Sequence, residues 1–204
     1  LKWTPIDDET LNTIYGEPVP ASLVKETDHL IASYRALIEA SPFFALASAG
    51  PDGLDCSPRG ERGGAVTIAD ERTLIIPDRR GNNRIDTLRN IVADPRVALL
   101  FLIPGSGTTL RVNGRAIVTI DAELLESLAL NGKMPRSAIV ISIDSVYFQC
   151  ARAVMRADLW NPEHHALAES LPTAGEILAE ASDNELGGAA YDRQWPQRAA
   201  RTLD

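Results

Sequence analysis

The chain has 204 residues, 45% of them hydrophobic, enough for one domain with a sizeable core and no need of a second. Twenty-eight Asp and Glu against twenty Lys and Arg give a net charge of −8, which argues against general binding to nucleic acid or to an anionic membrane surface. Cys56 and Cys150 form neither a C-x-x-C pair nor a disulfide framework, no apolar run reaches membrane length, and the first residues do not read as a signal peptide, so a cytoplasmic protein is expected.

Residues 1–20 contain three prolines and little periodicity and are expected to form an N-terminal arm. Apolar residues at Leu23, Leu30, Ile31, Tyr34, Leu37 and Ile38 follow helical spacing until Pro42, predicting a helix over Ala21–Ala40. "FFALASAGPDGLDCSPRG" then reads as a hairpin with strands at Phe43–Ser48 and Leu54–Pro58. "GAVTIADERTLIIP" repeats that signal. Asn83 is a candidate cap for a helix over Arg84–Ala93, ended by Asp94-Pro95. "RVALLFLIP" and "TLRVNGRAIVTI" read as strands joined by a Gly-Ser-Gly loop, with Asp121 capping the next helix. "SAIVISI" is a further strand, and "SVYFQCARAVMRADLW" is expected to be a helix. Beyond Pro162 only "PTAGEILAE" has a clear helical pattern, so residues 161–204 are expected to be a peripheral extension of a domain over 21–160. The order of elements predicts a mainly β fold with flanking helices, a six-stranded antiparallel barrel.

The stretch "DRRGNNRIDTLRN" (78–90) puts four arginines and three asparagines into an acidic chain. A helix N-terminus offers unpaired N–H groups and partial positive charge, and the guanidinium fork suits a phosphate monoester. Arg79, Arg80 and Arg84, with Asn82, Asn83 and the Thr87 hydroxyl, are the candidates for enclosing one. The alternative is a solvated loop whose arginines pair with Asp78, Asp86 and Asp94. A second arginine turn, "SPRGERGG", adds Ser57 and Arg59 at a neighbouring strand end and shifts the balance towards a ligand.

The succession "FFALASAGPDGLDCSPRG", "DERTLIIPDRRGNNRIDTLRNIVADPRVALLFLIPG", "TLRVNGRAIV" resembles the pyridoxamine 5'-phosphate oxidase-like family of FMN-binding split barrels, over about Phe43–Trp160. The resemblance implies a homodimer with FMN at the subunit interface. It assigns Ser57, Arg59, Arg79, Asn82, Asn83, Arg84 and Thr87 to the phosphate and ribityl chain, with Thr87 where many relatives have lysine. It also implies that Thr109 and Arg111 approach the flavin of the other protomer, and that Arg152 stands where relatives carry a lysine. Trp160 is a candidate for stacking on the ring. Pyridoxamine phosphate oxidation itself is not expected, because the "YDRQWPQRAARTLD" terminus lacks the Arg-x-His substrate motif of that enzyme.

No metal site is assigned, since His164 and His165 have no third ligand near them. Ser57 has no neighbouring histidine base, and Cys56, alternating with it, is expected to point into the core. The expected activity is that of an FMN-dependent oxidoreductase acting on a small molecule. A non-catalytic flavin- or haem-binding module and a deazaflavin-dependent reductase remain as alternatives.

Overall fold

A computed structural model describes residues 2–202; Leu1, Leu203 and Asp204, at the tips of the expected arm and extension, lie outside the described residues. Seven strands form one antiparallel sheet: β1 (Phe43–Gly50), β2 (Gly53–Gly60), β3 (Thr67–Ile68), β4 (Thr73–Pro77), β5 (Arg96–Leu102), β6 (Thr109–Thr119) and β7 (Ala138–Gln149). Their order is β2-β1-β5-β6-β7-β4-β3. Seven replaces the expected six, and the two-residue β3 forms one edge. The sheet coils into a split barrel. Residues from β1 (Phe44, Leu46) and from β4 (Leu74, Ile76) therefore share one buried cluster, although three strands separate them in the sheet. Strict alternation does this: along β1, β5 and β6 every second side chain enters that cluster and the others face outward.

Helices α1 (Asp8–Tyr15), α2 (Pro20–Val24) and α3 (Ala32–Glu39) precede the sheet. The single helix expected over Ala21–Ala40 is thus broken in two. Leu23 and Val24 stay exposed, whereas Leu30, Tyr34 and Ile38 are buried. Between them Thr27 forms a β-bridge with Val146, and its hydroxyl donates to the His29 carbonyl at 2.8 Å. A Thr hydroxyl bonding local backbone competes with the helix, and the bridge decides the contest.

Helix α4 (Asp86–Ala93) lies between β4 and β5 and packs on β1. That approach requires Gly50: a Cβ there would sit 2.0 Å from the Asn90 Oδ1. Asn90 in turn donates to the Ser48 hydroxyl at 3.2 Å, so the helix axis is fixed over the strand by both shape and a hydrogen bond. Gly114 marks a β-bulge in β6, where a Cβ would stand 2.3 Å from the Ser142 carbonyl oxygen.

Helix α5 (Ala122–Ser127) begins as expected at Asp121, whose carboxylate accepts the Leu124 N–H at 2.9 Å. Leu128, with Leu124 and Leu125 packed against it, closes a second small cluster over Ile75 and Ala138. The helix expected over 145–160 is corrected. Ser145–Gln149 continue β7, paired with β6 as far as Gln149 opposite Thr109, and only α6 (Arg152–Ala157) is helical. Val146, Tyr147 and Phe148 are β-branched or aromatic and fit a pleated, half-buried surface better than a helix.

Three helices follow, α7 (His164–Glu169), α8 (Ala174–Ala181) and α9 (Gly188–Thr202). Thr173 and Glu176 form a reciprocal capping box at the start of α8. Asp192 of α9 accepts both the Gly175 N–H and the Thr173 hydroxyl, at 2.8 and 2.6 Å, which pins the two helices together. Among the described residues no helix is long and apolar enough to cross a membrane.

Candidate functional site

Period-two alternation on β2 sends Asp55, Ser57 and Arg59 to one face, opposite Ser48, Leu46 and Phe44 of β1. Cys56, on the other face, is exposed, which corrects its expected place in the core. The start of α4 brings Thr87 against β2. The loop after β4 brings residues 78–85 alongside, and the β4–β7 pairing brings Arg136 and Ser137, since the Asp78 N–H bonds the Ser137 carbonyl at 2.9 Å. These groups surround an open cleft of about 690 Å³. Five arginines against three aspartates line it, so a chain that is negative overall presents a locally positive hollow.

The floor of the cleft is a three-residue network. Thr87, 4% exposed, donates its hydroxyl to Asp55 Oδ2 at 2.6 Å. Ser57 Oγ lies 3.0 and 3.3 Å from the two Asp55 oxygens, and Thr87 Oγ1 lies 3.3 Å from Ser57 Oγ. The walls are arginines of differing freedom. Arg59 Nη1 bonds Asp78 at 3.0 Å, while its buried Nε has no hydrogen-bond partner among the described residues. Arg79 is held by Glu61 at 3.3 Å and by the Leu128 carbonyl at 3.0 Å. Arg84, 79% exposed, pairs with Asp86. Arg136 donates to Asn83 Oδ1 at 3.0 Å. Arg80 makes no ion pair or hydrogen bond among the described residues.

Helix α4 begins later than the expected Arg84–Ala93. Ile85 is its cap, in the left-handed region at φ 52°, and no side chain caps it. Asn83, also left-handed at φ 61°, is engaged by Arg136, and Asn82 accepts the Arg84 N–H at 3.0 Å in a local turn. The first intrahelical bond runs from the Arg89 N–H to the Ile85 carbonyl, so the N–H groups of Asp86, Thr87 and Leu88 have no acceptor within the helix. These three residues line the cleft.

Ser57, Arg59, Arg79, Asn82, Asn83, Arg84 and Thr87 are thus brought together in one hollow. Thr109, Arg111 and Trp160 stand outside it. Arg111 projects from β6 and donates to the Tyr147 hydroxyl at 3.1 Å, and Trp160 donates its indole N–H to the Ser106 carbonyl at 2.7 Å. Arg152 is exposed at the start of α6. Two charged lining residues have no place in the sequence analysis. Asp55 lies two positions before Ser57, and strand alternation is the one local signal that puts it on the same face. Arg136 carries no local signal, because only the pairing of β4 with β7 brings it near.

Residues 30–150 match the sequence pattern of the pyridoxamine 5'-phosphate oxidase family, and the chain belongs to that family. No curated protein matches the sequence. Among solved structures the chain is similar to a Lactobacillus delbrueckii protein assigned to pyridoxamine 5'-phosphate oxidase. The two are 22% identical over 59% of this chain and 95% of that one, with a TM-score of 0.49. It is also similar to HupZ of Group A Streptococcus, at 15% identity over 57% of this chain and 91% of that one, TM-score 0.48. A third is an F420 reductase, at 21% identity over 59% of this chain and 98% of that one, TM-score 0.42.

Proposed function

We propose that the protein is an FMN-binding flavoprotein, and that it works as an FMN-dependent oxidoreductase on a small molecule. The observation that carries the reading is the arginine-lined cleft at the uncapped end of α4, in a chain of this family. The donor set fits the group. Arg80, Arg84 and Arg136 offer guanidinium forks to a phosphate, the α4 N–H groups add neutral donors, and the orphaned Arg59 Nε is a buried donor in want of an acceptor. The hydroxyls of Ser57 and Thr87 are within the same hollow for a polyol chain. Haem fits less well, because among the described residues no His, Cys, Met or Tyr lines the cleft to ligate iron.

Bound FMN would supply hydride or electron transfer, and the protein's part is to hold and orient it. The proposed working form is a homodimer. On the outward face of the sheet, Phe43, Ala45 and Ala47 of β1 stand opposite Leu102, Leu100 and Ala98 of β5, an apolar patch in which Phe43 is 42% and Leu100 37% exposed. Arg111 is the cross-strand partner of Leu100 and shares that face, as does Thr109 two residues before it. A second copy seated there would cover the patch and bring Thr109 and Arg111 into the interface, which supports their proposed role towards the partner's flavin.

Denaturing the purified protein and identifying the released chromophore tests the reading. Stoichiometric FMN is the expected result, and haem, a deazaflavin or no chromophore with no affinity for added FMN overturns it. Consumption of NAD(P)H with candidate acceptors then separates an enzyme from a carrier.

A further inference from the structure

The Asp55 carboxylate sits in a cleft lined by five arginines, where among the described residues the other two carboxylates, Asp78 and Asp86, are each paired with an arginine and Asp55 is not, and it faces the end of α4 where an anion would otherwise be welcome. As a carboxylate it can only accept hydrogen bonds. Two hydroxyls lie against it, Thr87 at 2.6 Å and Ser57 at 3.0 Å from the same Oδ2. Each hydroxyl has one proton, and the nearest acceptor to both is Asp55 Oδ2. What Ser57 and Thr87 can then present to the cleft are lone pairs.

We infer that Asp55 makes this wall an acceptor surface, so that a phosphorylated polyol binds with its hydroxyls against Ser57 and Thr87 and its phosphate against the arginines of the 79–84 loop and Arg136. A phosphate dianion has no proton to give these two oxygens. Placed against Thr87 it would also stand within the roughly 4–6 Å over which like charges repel appreciably. A hydroxyl or ring N–H has the proton that the wall requires. Asp55 further occupies the anion-favouring side of the α4 terminus, partly neutralising it, which leaves the loop arginines as the stronger pull on the phosphate. Asp55 is therefore a positioning residue that fixes the direction in which the ligand lies. The inference rests on the flavin reading for the identity of the polyol, but its account of phosphate does not.

Binding of FMN, riboflavin and inorganic phosphate to the full chain, freed of any co-purified flavin, tests it for wild type and Asp55→Asn. The amide keeps the shape, replaces one acceptor oxygen with a donor, so that the wall is no longer acceptor-only, and removes the negative charge. Inorganic phosphate is expected to bind about tenfold more tightly to Asp55→Asn, and riboflavin about tenfold more weakly, so that the preference for FMN over riboflavin rises. Unchanged phosphate affinity in the folded variant overturns the inference, whatever the flavins do. Failure of wild type to bind either flavin would instead defeat the flavin reading and leave the phosphate comparison standing. Should Asp55→Asn not fold, Ser57→Ala serves. It is expected to weaken riboflavin about fivefold and leave phosphate unchanged, and a loss of phosphate affinity there contradicts the acceptor wall.

Discussion

Arg59 and Asp78 are joined by an ion pair of 3.0 Å across the opening of the barrel. Arg59 belongs to β2, at one edge of the sheet, and Asp78 follows β4, the second strand from the other edge, so no ladder hydrogen bond connects them. Arg79 and Glu61 repeat the connection at 3.3 Å, one residue further along after β4 and two further along on the β2 side. The side chains of all four are a quarter exposed or less. The same residues that line the cleft therefore hold its two sides together.

That double role predicts a stability cost at Arg59. Arg59→Ala leaves the largely buried Asp78 without its partner and is expected to destabilise the fold by about 2 kcal/mol. Arg59→Lys, which keeps the charge, should recover part of the loss. Urea denaturation of the two variants checks this, and equal stability for Arg59→Ala and wild type would show that the pair does not close the barrel.

Arg136 should behave in the opposite way. It is exposed and its one hydrogen bond among the described residues is to Asn83, so Arg136→Ala is expected to change stability by no more than about 0.5 kcal/mol. FMN affinity, measured by quenching of flavin fluorescence, should fall about tenfold through loss of a charge-assisted contact.

Gly50 tests the seating of α4. Gly50→Ala places a methyl 2.0 Å from Asn90 Oδ1 and 3.3 Å from its Cα, so both the side chain and the helix must shift. The expected cost is about 1–3 kcal/mol, read from thermal or urea unfolding, with weaker FMN binding because α4 carries part of the cleft.

Two surface aspartates set an acid limit. Arg72, with His29, holds the Asp28 carboxyl down at about 2, and Arg96 does the same for Asp94, against 3.8 for an unperturbed Asp. A lowered folded-state value means that the stabilisation is present in full above pH 3.8 and is lost as pH falls through about 2. In pH-dependent unfolding, Asp94→Asn should be less stable than wild type at neutral pH and converge with it as pH falls over that window. A difference that persists unchanged at pH 2 would mean that the ion pair is not its source.

The strands of the barrel and helix α4 were legible in the sequence because alternation, turn residues and the Asp94-Pro95 stop are local signals. The broken N-terminal helix was not. Leu23 and Leu30 are seven residues apart, a spacing that helices use, and what interrupts them is a bridge from Thr27 to Val146, far along the chain. The end of β7 failed for a similar reason, since its partner is β6 and not its own neighbours. In the cleft, the arginine-rich loop announced itself by charge. Asp55 did not, because a carboxylate runs against the expectation of an anion site, and Arg136 is near only after β4 and β7 have paired.

Equilibrium binding of FMN and riboflavin to the Arg80→Ala/Arg84→Ala double variant tests the phosphate assignment most directly, as both side chains are exposed and neither supports the core. FMN affinity is expected to fall at least about tenfold while riboflavin affinity stays within about twofold of wild type. Undiminished FMN affinity in the folded double variant would contradict the account.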